Sequence, residues 1–303
     1  MRFLAVLNST GGTLRTMDLT AFQERSRQVL TTAGHSVEFR TVKGEKIVPA
    51  LEEAAKGTGH DVILVGGGDG TVSAAAGLLA GSDKALAILP AGTMNLFARS
   101  LGIPLDLDAA IAGFAAGHFR QVDIASANGR RFVHQYSIGI HPEVIDLRSR
   151  MQFGSRLGKL VASGRAAAMA VLRPPHIRVS LSMGDTEVIA VSSSISVTNN
   201  LFGEGHLPFA DRPDGGVLGI YITRARTGAD FVSFFLNMAI GRWEGNEQVE
   251  IHETDRVTLR ILSHHRRFKC ALDGELCPLD KETVLRIHPG ALRVLVPGSS
   301  PGN

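Results

Sequence analysis

Apolar runs of strand length punctuate the first 122 residues of this 303-residue chain. "FLAVLN" (3–8), "DVILV" (61–65) and "ALAILP" (85–90) are continuous, as in a strand covered on both faces. "SVEFRT" (36–41) alternates instead, as a half-buried strand does. The intervening stretches 18–33, 45–56 and 71–80 read as helices. Asp18 stands near the start of the first and Gly34 just past its end, a cap and a stop. "MNLFARSLG" after the fourth strand is also helix-like. Strands separated by helices predict a Rossmann-like parallel α/β domain with helices on both faces. Ligands of such sheets bind beyond the carboxyl ends of the strands.

The pattern changes near residue 118. "RQVDIASANGRRFVHQYSIGI" predicts two strands joined at "NGR", a hairpin signal. Strand patterns then dominate, at 176–182, 187–198, 217–224, 247–252, 256–263, 267–272 and 283–288. A helical insertion over about 142–172 interrupts them, and 227–240 reads as a further helix. The expected architecture is therefore α/β plus β. Residues 1–122 form the α/β domain and 123–289 an antiparallel, sandwich-like β domain, with a cleft between them. Residues 290–303 are candidates to pack back on the first domain.

Composition narrows the function classes. Apolar residues make up 44% and charged residues 20%, an ordinary globular balance. The net charge of +3 lies wholly after residue 122, where 21 basic residues meet 18 acidic ones. This is too weak for a general nucleic-acid binder. No apolar run reaches membrane-spanning length. Cys270 and Cys277 are the only cysteines, which points to a reducing, cytoplasmic setting rather than a disulfide framework.

The densest chemical signal is "VGGGDGT" (65–71). Glycines at a strand end leading into a helix bare successive N–H groups, a nest for phosphate oxygens. No Lys follows, so this is not a Walker loop, and the spacing does not complete a dinucleotide fingerprint. Asp69 among those amides would repel a phosphate unless a divalent cation or a transferable proton lies between them. An Asp that merely caps the next helix is the structural alternative.

"GGGDGTV" followed by "LPAGTMNLFAR" (89–99) resembles the diacylglycerol kinase catalytic-domain family. That family includes bacterial soluble lipid kinases, sphingosine kinases and ceramide kinases, with NAD kinases as distant relatives. "LNSTGG" (7–12), "PFADRPDGGVL" (208–218) and "ALDGEL" (271–276) resemble three further family segments, in the family's order. The resemblance implies an ATP- and Mg²⁺-dependent kinase whose nucleotide contacts are Asn8, Thr41, Gly66, Gly67, Gly68, Gly70, Thr71, Gly92, Thr93 and Asn95. It assigns Asp69 and Glu275 to catalysis, sharing proton acceptance and Mg²⁺ binding. Asp211 and Asp214, held three apart in a Pro/Gly-bracketed loop, suit a hard cation. The resemblance makes that cation a structural Mg²⁺, with the carbonyl of Val217 as a further ligand. Leu96 stands where the family commonly has Asp, so the metal network differs from that of the diacylglycerol kinases proper.

The acceptor side is expected in the β domain. Asp123 matches a cleft carboxylate of the family, with a hinge or strand-end role as the equal alternative. "YSIGIHPEVID" (136–146) resembles the segment bordering the family's lipid pocket, where Glu143 and Asp146 would meet a polar head or a sphingoid amine. Residues 147–184 contain seven basic residues and no acid, interleaved with Leu, Val and Met. Arg148, Arg150, Arg156 and Lys159 are the expected membrane-facing charges of a protein peripherally bound to the inner face of the membrane. The acceptor is a diacylglycerol-like or ceramide/sphingoid lipid. The competing readings are an NAD kinase-like enzyme with a soluble substrate and a non-catalytic nucleotide- or lipid-binding regulator. The oligomeric state, homodimer included, stays open.

Overall fold

β1 (Arg2–Asn8), β3 (Val62–Gly67) and β4 (Ala85–Pro90) are buried over nearly their whole length, as continuous apolar runs require. β2 (Ser36–Val42) alternates in exposure, as its sequence does, and lies at the sheet edge. The computed structural model describes residues 1–150, 176–203, 207–225, 230, 248–263 and 269–298. The helix expected over 227–240 and most of the insertion expected over 142–172 lie outside the described residues.

The four strands run parallel in the order β2-β1-β3-β4, with Leu7 opposite Gly66 and Gly66 opposite Leu89. Since β1 and β2 are neighbours, the chain must pass back over β1 to reach β3. That reversal puts the switch point of the sheet between the carboxyl ends of β1 and β3. α1 (Leu19–Thr32) starts at Asp18, whose carboxylate accepts the Ala21 N–H at 3.1 Å. It buries Phe22, Ser26 and Leu30 at fourfold spacing; each large apolar side chain contributes about 1.5–3 kcal/mol. α1 packs with α5 (Leu107–Ala115), and α2 (Ile47–Lys56) packs with α3 (Asp69–Leu79). α4 (Leu96–Ser100) is a short helix after β4. The sequence reading did not include α5, although Asp106 caps it through the Ala109 N–H at 2.8 Å.

The chain divides into two units. The first holds residues 1–124, 212–215 and 288–303, and the second 125–211 and 216–287. In the second, β8 (Ile177–Met183), β9 (Thr186–Ser192), β13 (Arg256–Ile261) and the start of β16 (Glu282–Val296) form one antiparallel layer. The other layer has the order β12 (Val249–Thr254), β11 (Leu218–Thr223), β10 (Ser194–Asn199), β7 (Gln135–Gly139), β14 (Lys269–Leu272), β15 (Glu275–Pro278). Phe132, Val179, Val197, Ile220, Leu259 and Leu285 belong to the one core cluster that both layers supply. This is the sandwich-like antiparallel domain that the strand pattern predicts.

Three strand features differ from the sequence reading. The run at 187–198 is two strands in different layers, broken at Ser193. There the Ser192 hydroxyl donates to the Thr223 carbonyl at 2.7 Å and accepts the Ser194 N–H at 3.2 Å. β15 and the continuation of β16 beyond residue 288 were also not anticipated. The "NGR" turn joins β5 (His118–Ala127) to β6 (Arg130–Phe132), with Asn128 and Gly129 both at positive φ. α6 (Ile140–Arg150) follows β7.

Candidate functional site

Three loops converge at the switch point of the first unit. The loop after β1 folds back so that Thr13 N–H bonds to the Ala91 carbonyl at 2.9 Å. Gly12 permits this approach: its φ is +44°, and a Cβ there would lie 1.7 Å from the Ala91 oxygen. Ala91 N–H in turn bonds to the Gly67 carbonyl at 3.1 Å. A Cβ on Gly92 would stand 2.7 Å from Gly68 Cα. Asn8, the three glycines 66–68 and Gly92 are thereby brought to one edge of the sheet.

The glycines of "GGG" are not equivalent. A Cβ on Gly66 would strike Leu7, and one on Gly67 would strike Thr71, so packing alone explains both. Gly68 has an ordinary φ of −90° and caps α3 from extended backbone. A Cβ there would make only van der Waals contact, at 3.5 Å, with Gly92 Cα. The fold does not demand glycine at 68, and the main chain there is left bare beside Gly92.

Asp69 is the first residue of α3, yet its carboxylate serves α4. One oxygen accepts the Asn95 N–H at 3.0 Å and the other the Leu96 N–H at 2.7 Å. These are two orphan donors of the α4 N-terminus. A carboxylate offers about four lone-pair sites, so both oxygens keep acceptor capacity. The helix-capping alternative is thus real, but its object is α4 and not α3.

Asn95 and Asn8 spend their amides on their own loops. Asn95, at φ 51°, accepts the Gly92 N–H at 2.9 Å and donates to the Gly92 carbonyl at 3.0 Å. Asn8 accepts the Thr10 N–H at 3.1 Å and the Thr10 hydroxyl at 2.9 Å. The Thr41 hydroxyl accepts from Gln23 at 2.9 Å near the end of β2. Thr93 is exposed, and Gly70 and Thr71 lie partly exposed in the first turn of α3.

The other carboxylates fall elsewhere. Asp123 is buried and its carboxylate accepts the Gly290 N–H at 2.8 Å, while its own N–H bonds to the Pro213 carbonyl. Asp214 pairs with Arg120 at 2.7 Å, and that hydrogen bond holds its carboxyl below the usual range. Asp211 and Val217 belong to the second unit and Asp214 to the first. The Val217 carbonyl accepts the Asn200 N–H at 3.0 Å. Among the described residues no cluster of three or more His, Cys, Asp or Glu is close enough to hold a metal.

In the second unit, Glu275 opens β15 and is largely exposed, 3.9 Å from Arg130. On α6, burial, then the nearby Asp146 charge, raises the Glu143 carboxyl above its ordinary range. Asp146 itself pairs with Lys269 at 2.6 Å. His141 bonds through Nδ1 to the Ser137 hydroxyl at 2.7 Å, and burial depresses its basicity. Arg148 and Arg150 end α6; Arg156 and Lys159 lie outside the described residues.

Asp273, in the "LDGE" segment, does more than turn the chain. Asp273 and Gly274 do make a two-residue turn at positive φ between Leu272 and Glu275. The Asp273 carboxylate, however, also accepts three N–H groups, from Val133, His134 and Gln135, each at 2.9 Å. Its partners are some 140 residues away in sequence, so no local signal marks them.

A bare-backbone loop at the switch point of a doubly wound sheet, in a chain that continues into an antiparallel sandwich, is the build of a kinase-type phosphotransferase. Residues 2–127 match the family described as "Diacylglycerol kinase catalytic domain". Residues 137–296 match the "YegS C-terminal NAD kinase beta sandwich-like domain". A "Probable lipid kinase YegS-like" of Pseudomonas aeruginosa is 29% identical over 278 residues, covering 89% of this chain and 87% of the relative. A "Diacylglycerol kinase" of Mycobacterium tuberculosis is 30% identical over 261 residues, 82% and 80% of the two chains. The crystal structure of a diacylglycerol kinase from Bacillus anthracis shares the fold, with a TM-score of 0.72 at 18% identity over 98% and 97% of the chains. The chain belongs to the diacylglycerol kinase catalytic-domain family and is a phosphotransferase with an alcohol group as acceptor.

Proposed function

We propose that the protein is an ATP- and Mg²⁺-dependent lipid kinase that phosphorylates a hydroxyl of a diacylglycerol-like or ceramide/sphingoid lipid. The observation that carries this reading is Gly68: bare main chain beside Gly92 that the fold itself does not require. ATP supplies the γ-phosphoryl group, and amides of the 66–71 loop and the α3 N-terminus would face its phosphates. Gly92 and the exposed Thr93 complete the cradle from the next loop, while Asn8, Thr41 and Asn95 hold the loops in shape.

Asp69 is the candidate to work at the transferred phosphoryl. Its N–H bonds to residues 95 and 96 fix the carboxylate, and its spare acceptor sites suit either an incoming hydroxyl proton or a nucleotide-borne Mg²⁺. Glu275 is the second carboxylate, solvent-accessible and close to one cation. The fit of Mg²⁺ to the 211–217 loop is weaker. Asp211 and the Val217 carbonyl offer oxygens, but Asp214 already has Arg120 as counter-ion. Mg²⁺ is therefore assigned first to the nucleotide and Asp69. Glu143, with Asp146 and the buried Asp123, belongs to the lipid-recognition side by resemblance, and the basic run beginning at Arg148 and Arg150 would meet an anionic membrane surface.

The test is transfer from γ-labelled ATP to a panel of diacylglycerol, ceramide, sphingosine and NAD in mixed micelles. Label in a lipid product, abolished by chelation of Mg²⁺, is the expected result. Label on NAD, or nucleotide binding with no transfer to any acceptor, would overturn it.

A further inference from the structure

Cys270 on β14 and Cys277 on β15 stand directly opposite each other in antiparallel register. Directly opposed residues share one face of the sheet, with Cα atoms about 4.5–5.5 Å apart. That lies within the roughly 4.4–6.8 Å that a disulfide spans. Both are free thiols, 5% and 8% exposed. Cys270 Sγ already reaches over β15, 3.5 Å from the Cys277 carbonyl and 3.2 Å from the Pro278 carbonyl.

The two sulfurs differ in surroundings. The Arg130 guanidinium donates to Cys277 Sγ at 2.9 Å. A cation there stabilises the negative charge shared by sulfur and the leaving oxygen during attack on a peroxide. Burial first, and the Cys277 charge second, push the Cys270 thiol up to about 11. β15 is four residues long and terminates its layer among the described residues, so a small oxidant need open little structure to reach Cys277.

We propose that this pair is a reversible redox-modification site, in which hydroperoxide converts Cys270 and Cys277 to a cross-strand disulfide. The Cys277 sulfur attacks a peroxide oxygen, the O–O bond breaks, the departing hydroxide takes the Cys277 proton as water, and Cys277 becomes a sulfenic acid. Cys270 sulfur then attacks Cys277 sulfur, the S–O bond breaks, and the departing hydroxide takes the Cys270 proton as water. Two thiols and one hydrogen peroxide thus give one disulfide and two waters. Arg130, no longer donating to a thiol sulfur, is left with Glu275 at 3.9 Å. An effect on turnover through Glu275 rests on the proposed kinase mechanism; disulfide formation does not.

The full-length, reduced protein is exposed to hydrogen peroxide, quenched with N-ethylmaleimide in denaturant and weighed intact. These are the chain's only cysteines, so the expected product is unambiguous: no maleimide adduct, two hydrogens lost, and two adducts recovered after dithiothreitol. Two adducts before reduction, or covalent dimers in place of the monomeric product, would overturn the proposal. Cys270→Ser is expected to trap Cys277 as a dimedone-reactive sulfenic acid, whereas Cys277→Ser leaves Cys270 unlabelled. The reverse labelling would overturn the order of attack. Arg130→Met should slow the wild-type reaction several-fold with the same end point, and an unchanged rate would remove Arg130 from the mechanism. The unmodified chain supplies the deciding measurement even where a variant fails to fold.

Discussion

Two Asp-Gly pairs in this molecule do opposite work with the same chemistry. Asp69-Gly70 sits where β3 passes into α3, and its carboxylate takes two N–H groups from the start of α4. Asp273-Gly274 turns β14 into β15, and its carboxylate takes three N–H groups from residues 133–135. The first is partly exposed at the carboxyl edge of the parallel strands, and keeps acceptor sites in reserve. The second has spent most of its acceptor capacity on the fold. A carboxylate's role is therefore read from what its oxygens have left to accept, not from the glycine that follows it.

The comparison can be broken most sharply at Asp69. An amide can accept from only one side, so Asp69→Asn loses one of two backbone bonds and about 1 kcal/mol of stability. Lipid-kinase turnover should fall roughly 10²–10⁴-fold while ATP binding by calorimetry persists. Turnover within about tenfold of the parent enzyme would show that this carboxylate is only a cap.

Asp273→Ala should do the reverse. Three amides lose a charged acceptor, and urea unfolding should register a loss of about 3 kcal/mol. A change below about 1 kcal/mol would mean that residues 133–135 find other partners and that Asp273 is not a structural anchor.

The smallest effect sharpens the contrast from the surface. Asp61 accepts from the Arg2 side chain and backbone, and these bonds, the side-chain one first, lower its carboxyl from 3.8 to about 2. A carboxyl depressed on folding stabilises above its unfolded value, and the gain disappears as pH falls from about 4 towards 2. Both partners are about half exposed, so the gain stays below about 1 kcal/mol. Asp61→Asn should lower the urea midpoint slightly at pH 7 and not at pH 2. An equal loss at both values would assign the effect to packing.

What the sequence disclosed follows from how local each cause is. The buried strands, the Asp18 cap, the "NGR" turn and the glycine loop are written within a few neighbouring residues, and all were legible. α5 was passed over because "LDAAIAGFAAG" is small and apolar with little polar contrast, leaving Asp106 as its only strong signal. The break at Ser193 was hidden because both halves of 187–198 are good strands; what divides them is a hydroxyl bonded to Thr223, thirty residues on. At the site, Gly68 and Asp69 stood out locally, as bare backbone and a carboxylate between a strand and a helix. That Asp69 holds α4, that Asp214 is paired with Arg120, and that Asp273 anchors a distant turn depend on tertiary partners that no motif carries.

β16 bears on how the chain is made. Its last part, from residue 288, belongs to the first unit, where Val294 lies beside Leu86 of β4. The flank of β4 is thus left bare while the roughly 200 residues between the two strands are made, on the order of 10–40 s at elongation rates of about 5–20 residues per second. The first unit is begun before the second and closed only after it, and a nascent chain must keep an apolar strand from finding the wrong neighbour for the whole of that interval.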